Sequence, residues 1–174
     1  MFKYALRLAY ILRPSIVYEI IKRQLAEIIP LNKLLGIEVT SIGDGTAQAR
    51  LAFHPEVTNH IGSMHATAIF GLAEAASGGA LSGAFAPVVL DIRPVAVSAR
   101  VDFLKVARSD LVAGAATSIP PETLRATLAA SGKVVFDVTV EIRDSAAADI
   151  GRMTVSWHVT KKAAKAPAAA VASR

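Results

Sequence analysis

Glu74 is the only formal charge between Glu56 and Asp91, and it lies in a Gly/Ala-rich apolar run from Met64 to Ala86 whose composition predicts a helix. An ionised carboxylate is costly to bury without a partner, so a chain keeps it out of the core or raises its pKa. A carboxylate raised toward neutrality can serve as a general base or a nucleophile. Two ordinary alternatives stand beside that reading: a narrow solvated stripe along the helix, or an arginine partner from elsewhere in the fold. The neighbours favour burial. Ala66, Ala73, Ala76, Gly79, Ala80 and Gly83 are small, and Ile69, Leu72 and Leu81 are spread around the helix, the pattern of one buried on most faces. Small residues also let other backbone approach, as a sheet wrapping the helix requires.

The loop before this helix reads Asn59-His60-Ile61-Gly62-Ser63-Met64-His65-Ala66-Thr67, about two turns ahead of Glu74. His60 and His65 read as hydrogen-bonding loop residues, and no spacing of metal-ligating side chains accompanies them. The run is long enough to span a bilayer and the mean hydropathy is +0.45. A bilayer span is nevertheless rejected. Glu74 near its centre would cost about 2.5–3.5 kcal/mol, and Ala, Gly and Ser offset little of that.

The elements that must position these residues follow from periodicity. Phe2, Leu6, Ala9 and Tyr10 share one face of a first helix. Pro14 opens a second, with Ile16, Val17, Ile20, Ile21, Leu25 and Ile28 as its stripe. From Gly36 the period becomes two. Residues 36–42 and 46–53 read as strands joined by Gly43-Asp44-Gly45, and residues 92–106 alternate through Val95, Val97, Ala99, Val101 and Phe103. Residues 111–118 form a fourth strand, Pro120-Pro121 starts a short helix ended by Gly132, and two further alternating strands carry Phe136 to Ile142 and Met153 to Val159. Two strands, a long helix and about four more strands make an α+β layer arrangement.

The chain has 174 residues, enough for one domain with a real core. Its net charge of +5 belongs to the ends. Residues 31–160 hold ten basic and twelve acidic side chains, net −2, so a nucleic-acid-binding core is not expected. Absence of cysteine excludes disulfides and thiol chemistry. The expected organisation is N-terminal amphipathic helices over 1–30, a catalytic-type domain over 31–160, and a mobile Ala/Lys-rich tail over 161–174. Arg7 interrupts the apolar stretch at the N-terminus, no cleavage site follows, and a cytoplasmic location is expected. The N-terminal helices are read as packing on the domain or a second subunit; the alternative is a weak basic contact with a membrane surface.

Asn59-x-x-Gly62-x-x-His65-Ala66, followed by Leu72-x-Glu74-x-Ala76-x-Gly78, resembles the signature of hotdog-fold acyl-CoA thioesterases of the phenylacetate-pathway type. It also resembles a branch of uncharacterised thioesterase-like proteins related to the C-terminal half of YiiD. The resemblance implies a hotdog fold, an antiparallel sheet wrapped around a long central helix, here with N-terminal helices added. It implies hydrolysis of an acyl thioester of coenzyme A or acyl carrier protein, with no cofactor beyond the coenzyme A of the substrate and no metal. In those terms the Ala66 N–H is the oxyanion donor, at a helix end whose dipole suits developing negative charge. Asn59 holds the carbonyl or the water, Glu74 activates the water or attacks, and His65 completes the catalytic set. Gly62, Thr67 and Ser77 are placed at the substrate, and Lys105 and Arg108 near the coenzyme A phosphates. Family sites combine the loop of one subunit with the carboxylate of another, so a homodimer or homotetramer is implied. The signature's His-Gly-Gly is His65-Ala66-Thr67 here, which adds two side chains at the helix end. Two other functions suit the same fold: acyl or acyl-CoA binding without catalysis, and a hydroxyacyl dehydratase or hydratase pairing His60 with Glu74.

Overall fold

The computed structural model describes residues 2–162. Three helices, α1 (Phe2–Leu12), α2 (Pro14–Ile28) and α3 (Pro30–Leu35), precede strands β1 (Ile37–Gly43) and β2 (Thr46–Leu51). The long helix α4 (Ala66–Ala84) follows, then β3 (Ile92–Phe103), β4 (Leu111–Thr117), helix α5 (Pro121–Ser131), β5 (Lys133–Asp144) and β6 (Asp149–Lys161). All six strands join one antiparallel sheet in the order β1-β2-β4-β5-β6-β3. The tail expected over 161–174 lies outside the described residues from 163 onward, as do the side chains of Phe2 and Leu6.

The sheet curls around α4, which contacts β1, β2, β4, β5 and β6. Glycines make this approach feasible. A Cβ on Gly79 would sit 2.9 Å from the Ala47 Cβ of β2, and one on Gly83 would run into the Gly43 carbonyl oxygen at the end of β1. Residues 71–73, 75–77 and 79–84 of α4 are all buried. The exceptions beyond the first turn are Phe70, Glu74 and Gly78, which continue from Ala66 at every fourth position as one uncovered stripe. The helix ends at Phe85, whose buried ring lies 5.9 Å from that of Phe136, and Pro87 follows.

The N-terminal helices depart from the expected stripes. On α2 only Val17 and Ile21 are buried, with Leu25 partly so, a stripe of every fourth residue; Ile16, Ile20 and Ile28 are exposed. On α1, Ala9 and Tyr10 pack on this cluster, while Tyr4, Leu8, Ile11 and Leu12 face out. Helix α3 was not expected. Pro30 starts it, and Gly36 at φ +72° ends it, donating to the Asn32 and Lys33 carbonyls.

The two sheet edges differ. Along β1, α2 packs alongside and Lys22 Nζ donates to the Thr40 carbonyl. The β3 edge carries no such cover. Its alternation predicts one buried face, yet residues 93–100 are exposed on both, Val95 by 47% and Val97 by 55%. The reason is position: β3 pairs only with β6 at the end of the sheet, while α4 packs on the other five strands. An uncovered edge of this length and apolarity is a pairing template.

The closeness of α4 to the sheet yields a stability test. Gly83→Ala is expected to destabilise by about 2–3 kcal/mol through overpacking against backbone. Gly78→Ala, where a Cβ meets nothing within 4 Å, gains up to about 1 kcal/mol from helix propensity. Denaturant melts of both variants check the contrast.

Candidate active site

The loop over 57–65 is closed by its own backbone: Asn59 N–H donates to the Ser63 carbonyl at 2.8 Å, Gly62 N–H to the Asn59 carbonyl, and His65 N–H to the Val57 carbonyl. Gly62 takes φ +69°, where a side chain is disfavoured. The Asn59 amide is committed to the same loop. Its Oδ1 accepts from the Ile61 and Ser63 N–H groups, and its Nδ2 donates to Ser63 Oγ at 2.9 Å.

This loop delivers the N-terminus of α4. His65 caps it, with Nδ1 accepting from the Thr67 N–H at 3.1 Å, a role that requires that nitrogen unprotonated. The His65 carbonyl accepts from the Ala68 N–H. The Ala66 N–H therefore remains as the first-turn donor with no acceptor among the described residues, and Ala66 is exposed. Met64 N–H donates to the Ala107 carbonyl at 2.8 Å, which fastens the exposed loop over 104–110 beside this helix end. Lys105 and Arg108 are on that loop, and neither makes an ion pair among the described residues.

Glu74 stands two turns further along the uncovered stripe. Among the described residues its carboxylate has no hydrogen bond and no ion pair, so the arginine-partner alternative does not hold. Burial alone pushes its pKa above the ordinary carboxylate value. It lines a cavity of about 150 Å³ together with Ser82 of α4, Val39 of β1, Pro94 of β3, Trp157 of β6 and Asn32 of α3.

The structure thus separates the sequence-derived residues into two groups. Asn59, Gly62, His65, Ala66 and Thr67 gather at the helix end, with Lys105 and Arg108 beside them. Glu74 belongs to the cavity, eight residues or about 12 Å along the helix axis. Ser77 joins neither group. It is fully buried and donates to the Glu74 carbonyl at 2.8 Å, and Ser82 lines the cavity instead, because one turn beyond Glu74 it is position 78, not 77, that returns to the same face. His60 is exposed and does not line the Glu74 cavity. Asn32 and Trp157 were missed. Trp157 alternates as a core residue on β6, and Asn32 is buried by a helix that periodicity does not reveal. No group of three or more His, Asp or Glu able to hold a metal occurs among the described residues, and none of their helices is long and apolar enough to cross a membrane.

Desolvation of Glu74 fixes a pH dependence. A raised native pKa means the folded state binds this proton more tightly than the unfolded chain, so stability is lost as pH rises through the native pKa. Glu74→Gln is expected to melt higher than wild type at neutral pH, with the difference vanishing below the ordinary carboxylate range. Thermal melts across pH compare the two; parallel curves would mean the carboxylate is not desolvated.

A family model described as a domain of unknown function (DUF4442) matches residues 18–159. No curated protein sequence gives a significant match. Among solved structures, the chain is similar to a Pseudomonas aeruginosa protein of unknown function named a probable thioesterase, with 22% identity, a TM-score of 0.70, and coverage of 83% of this chain and 95% of that one. It is similar to the E. coli PaaI protein from the phenylacetic acid degradation operon, at 20% identity and a TM-score of 0.64, covering 86% and 96%. A Haemophilus influenzae thioesterase aligns at 17% identity and a TM-score of 0.62, covering 75% and 82%. At these identities the likeness establishes the hotdog fold.

Proposed function

The chain belongs to the DUF4442 family, and on that premise we propose that it hydrolyses an acyl thioester, with Glu74 activating the attacking water and the Ala66 N–H holding the developing oxyanion. The observation that carries this reading is the pairing, on one uncovered stripe of a buried helix, of an unpartnered carboxylate with an unpartnered helix N-terminal donor. The names of the solved structures described as thioesterases point the same way.

Thioester hydrolysis needs a base that is largely deprotonated yet still basic enough to take a proton from water, and a raised carboxylate pKa serves that need. Water adds to the thioester carbonyl as Glu74 takes its proton. The carbonyl oxygen becomes an oxyanion facing the Ala66 N–H and the positive end of the α4 dipole. Collapse expels the thiolate, which leaves as the thiol after taking the proton that Glu74 had accepted, and this restores the base. Lys105 and Arg108, on the loop fastened by Ala107, are the cations we assign to the phosphates of a coenzyme A leaving group.

Within one subunit the two groups are too far apart to act on one carbonyl. A base must come within about 3 Å of the proton it removes, or reach it through one water, whereas about 12 Å of helix separates Ala66 from Glu74. A two-fold arrangement supplies the missing proximity: antiparallel pairing of two β3 edges aligns the α4 helices head to tail, bringing the Ala66 end of one toward Glu74 of the other. The exposure of Val95 and Val97 on an uncovered edge supports this pairing. The site is then composite, and the active unit is a homodimer or a multiple of it.

Two measurements test the reading together. Glu74→Gln is expected to lower turnover of acyl-CoA substrates by about 10²–10⁴-fold with the fold retained. Val97→Glu adds a charge to each of the two apolar edges, so light scattering should move from dimer toward monomer and hydrolysis should fall with it. Unchanged turnover in folded Glu74→Gln protein sinks the mechanism, and a fully active monomer sinks the composite site.

A further inference from the structure

The Glu74 cavity draws its walls from parts of the chain far apart in sequence, and one wall belongs to the N-terminal helices. Leu25 near the end of α2 and Ile29 at the α2–α3 junction line it, and Asn32 follows from α3. Asn32 is only 5% exposed, and among the described residues its side chain has no hydrogen-bond partner. Across the cavity, Trp157 is 7% exposed and its Nε1–H is a buried donor without an acceptor. Buried polar groups in folded proteins are nearly always paired, so the orphaned indole N–H calls for an acceptor, and the Asn32 amide, which also makes no hydrogen bond among the described residues, lines the same cavity. The Ser82 hydroxyl, which donates to the Gly78 carbonyl at 2.7 Å, lines the same cavity but is not within hydrogen-bonding geometry of the indole. The volume sets the size of the guest. About 150 Å³ is the scale of a cavity that holds one benzene ring, so a short acyl group is enough to fill it.

We infer that this cavity is the acyl pocket, that the α2–α3 junction limits acyl length, and that Asn32 and Trp157 select a short acyl group carrying a hydrogen-bond-accepting oxygen. The inference rests on the thioester reading above, and adds to it a substrate class and three specificity-determining residues, Ile29, Asn32 and Trp157. Glu74 lines the same cavity, so an acyl group seated there has its thioester end near the base and its distal oxygen facing the indole N–H and the amide.

Trp157 is the chain's only tryptophan, so intrinsic fluorescence reports directly on the cavity. Full-length Glu74→Gln protein is titrated with butyryl-CoA, 3-hydroxybutyryl-CoA and decanoyl-CoA. The hydroxylated probe is expected to bind about 3–10-fold more tightly than butyryl-CoA, the worth of one hydrogen bond to a buried group, with a change in emission, and decanoyl-CoA to bind most weakly. Trp157→Phe and Asn32→Ala, each followed by calorimetry, should reduce the ratio of 3-hydroxybutyryl-CoA to butyryl-CoA affinity toward one. Ile29→Ala should shift the preference toward decanoyl-CoA. Equal affinities with no emission change, or preferences that survive all three substitutions, overturn the inference. Hydrolysis by wild type without such preferences overturns this inference alone. Selective binding without any wild-type hydrolysis upholds the pocket and overturns the hydrolase reading instead.

Discussion

The close approach of a sheet to a helix made of small residues is the constraint on which the rest of this structure depends. Because Gly79 and Gly83 present no side chain, β1 and β2 come within backbone distance of α4, and the sheet wraps it far enough to bury nearly every position. A helix so enclosed has one uncovered stripe, and whatever stands on that stripe is held in a half-dry environment. Glu74 stands there. Its raised pKa is a consequence of the packing, with no neighbouring charge contributing.

The same wrapping sets the distance between the chemical groups. A straight helix holds the Ala66 N–H and Glu74 about two turns apart, and no side-chain adjustment closes that gap. The exposed β3 edge at the far end of the sheet is where the proposed pairing with a second copy would close that gap. Under the proposed thioester reading, catalytic geometry and assembly become one problem, since the Ala66 N–H and the Glu74 carboxylate of one subunit cannot meet on one carbonyl. The N-terminal helices enter through the other edge. By lying along β1, α2 brings the α2–α3 junction over the uncovered stripe, so elements that look peripheral in sequence help to enclose the carboxylate.

Much of this was legible in the sequence where local pattern dictates structure. The apolar, Gly/Ala-rich run defined α4 to within two residues at each end, and the Gly43-Asp44-Gly45 turn and the alternation of β5 and β6 placed the strands. The loop from Asn59 to Thr67 was legible through the spacing Asn59-x-x-Gly62-x-x-His65-Ala66, which carries the family resemblance. Three things were not. The exposure of β3 depends on its place at the end of the sheet, which alternation alone cannot convey. Helix α3 is too short to show a period. The cavity joins residues as distant as Asn32 and Trp157, and only the fold makes them neighbours. Ser77 shows the limit of counting: it is adjacent in sequence to the uncovered face, yet it points into the core.

The central claim is that packing, without a charged neighbour, lifts the Glu74 carboxyl above the ordinary glutamate value. Carbon-13 NMR titration of the glutamate side-chain carboxyls measures it directly, with the Glu74 resonance assigned by its disappearance in Glu74→Gln. The account predicts a midpoint above the ordinary glutamate value of about 4.3. A midpoint at or below that value would contradict it, and would leave Glu74 a solvated carboxylate on a helix face.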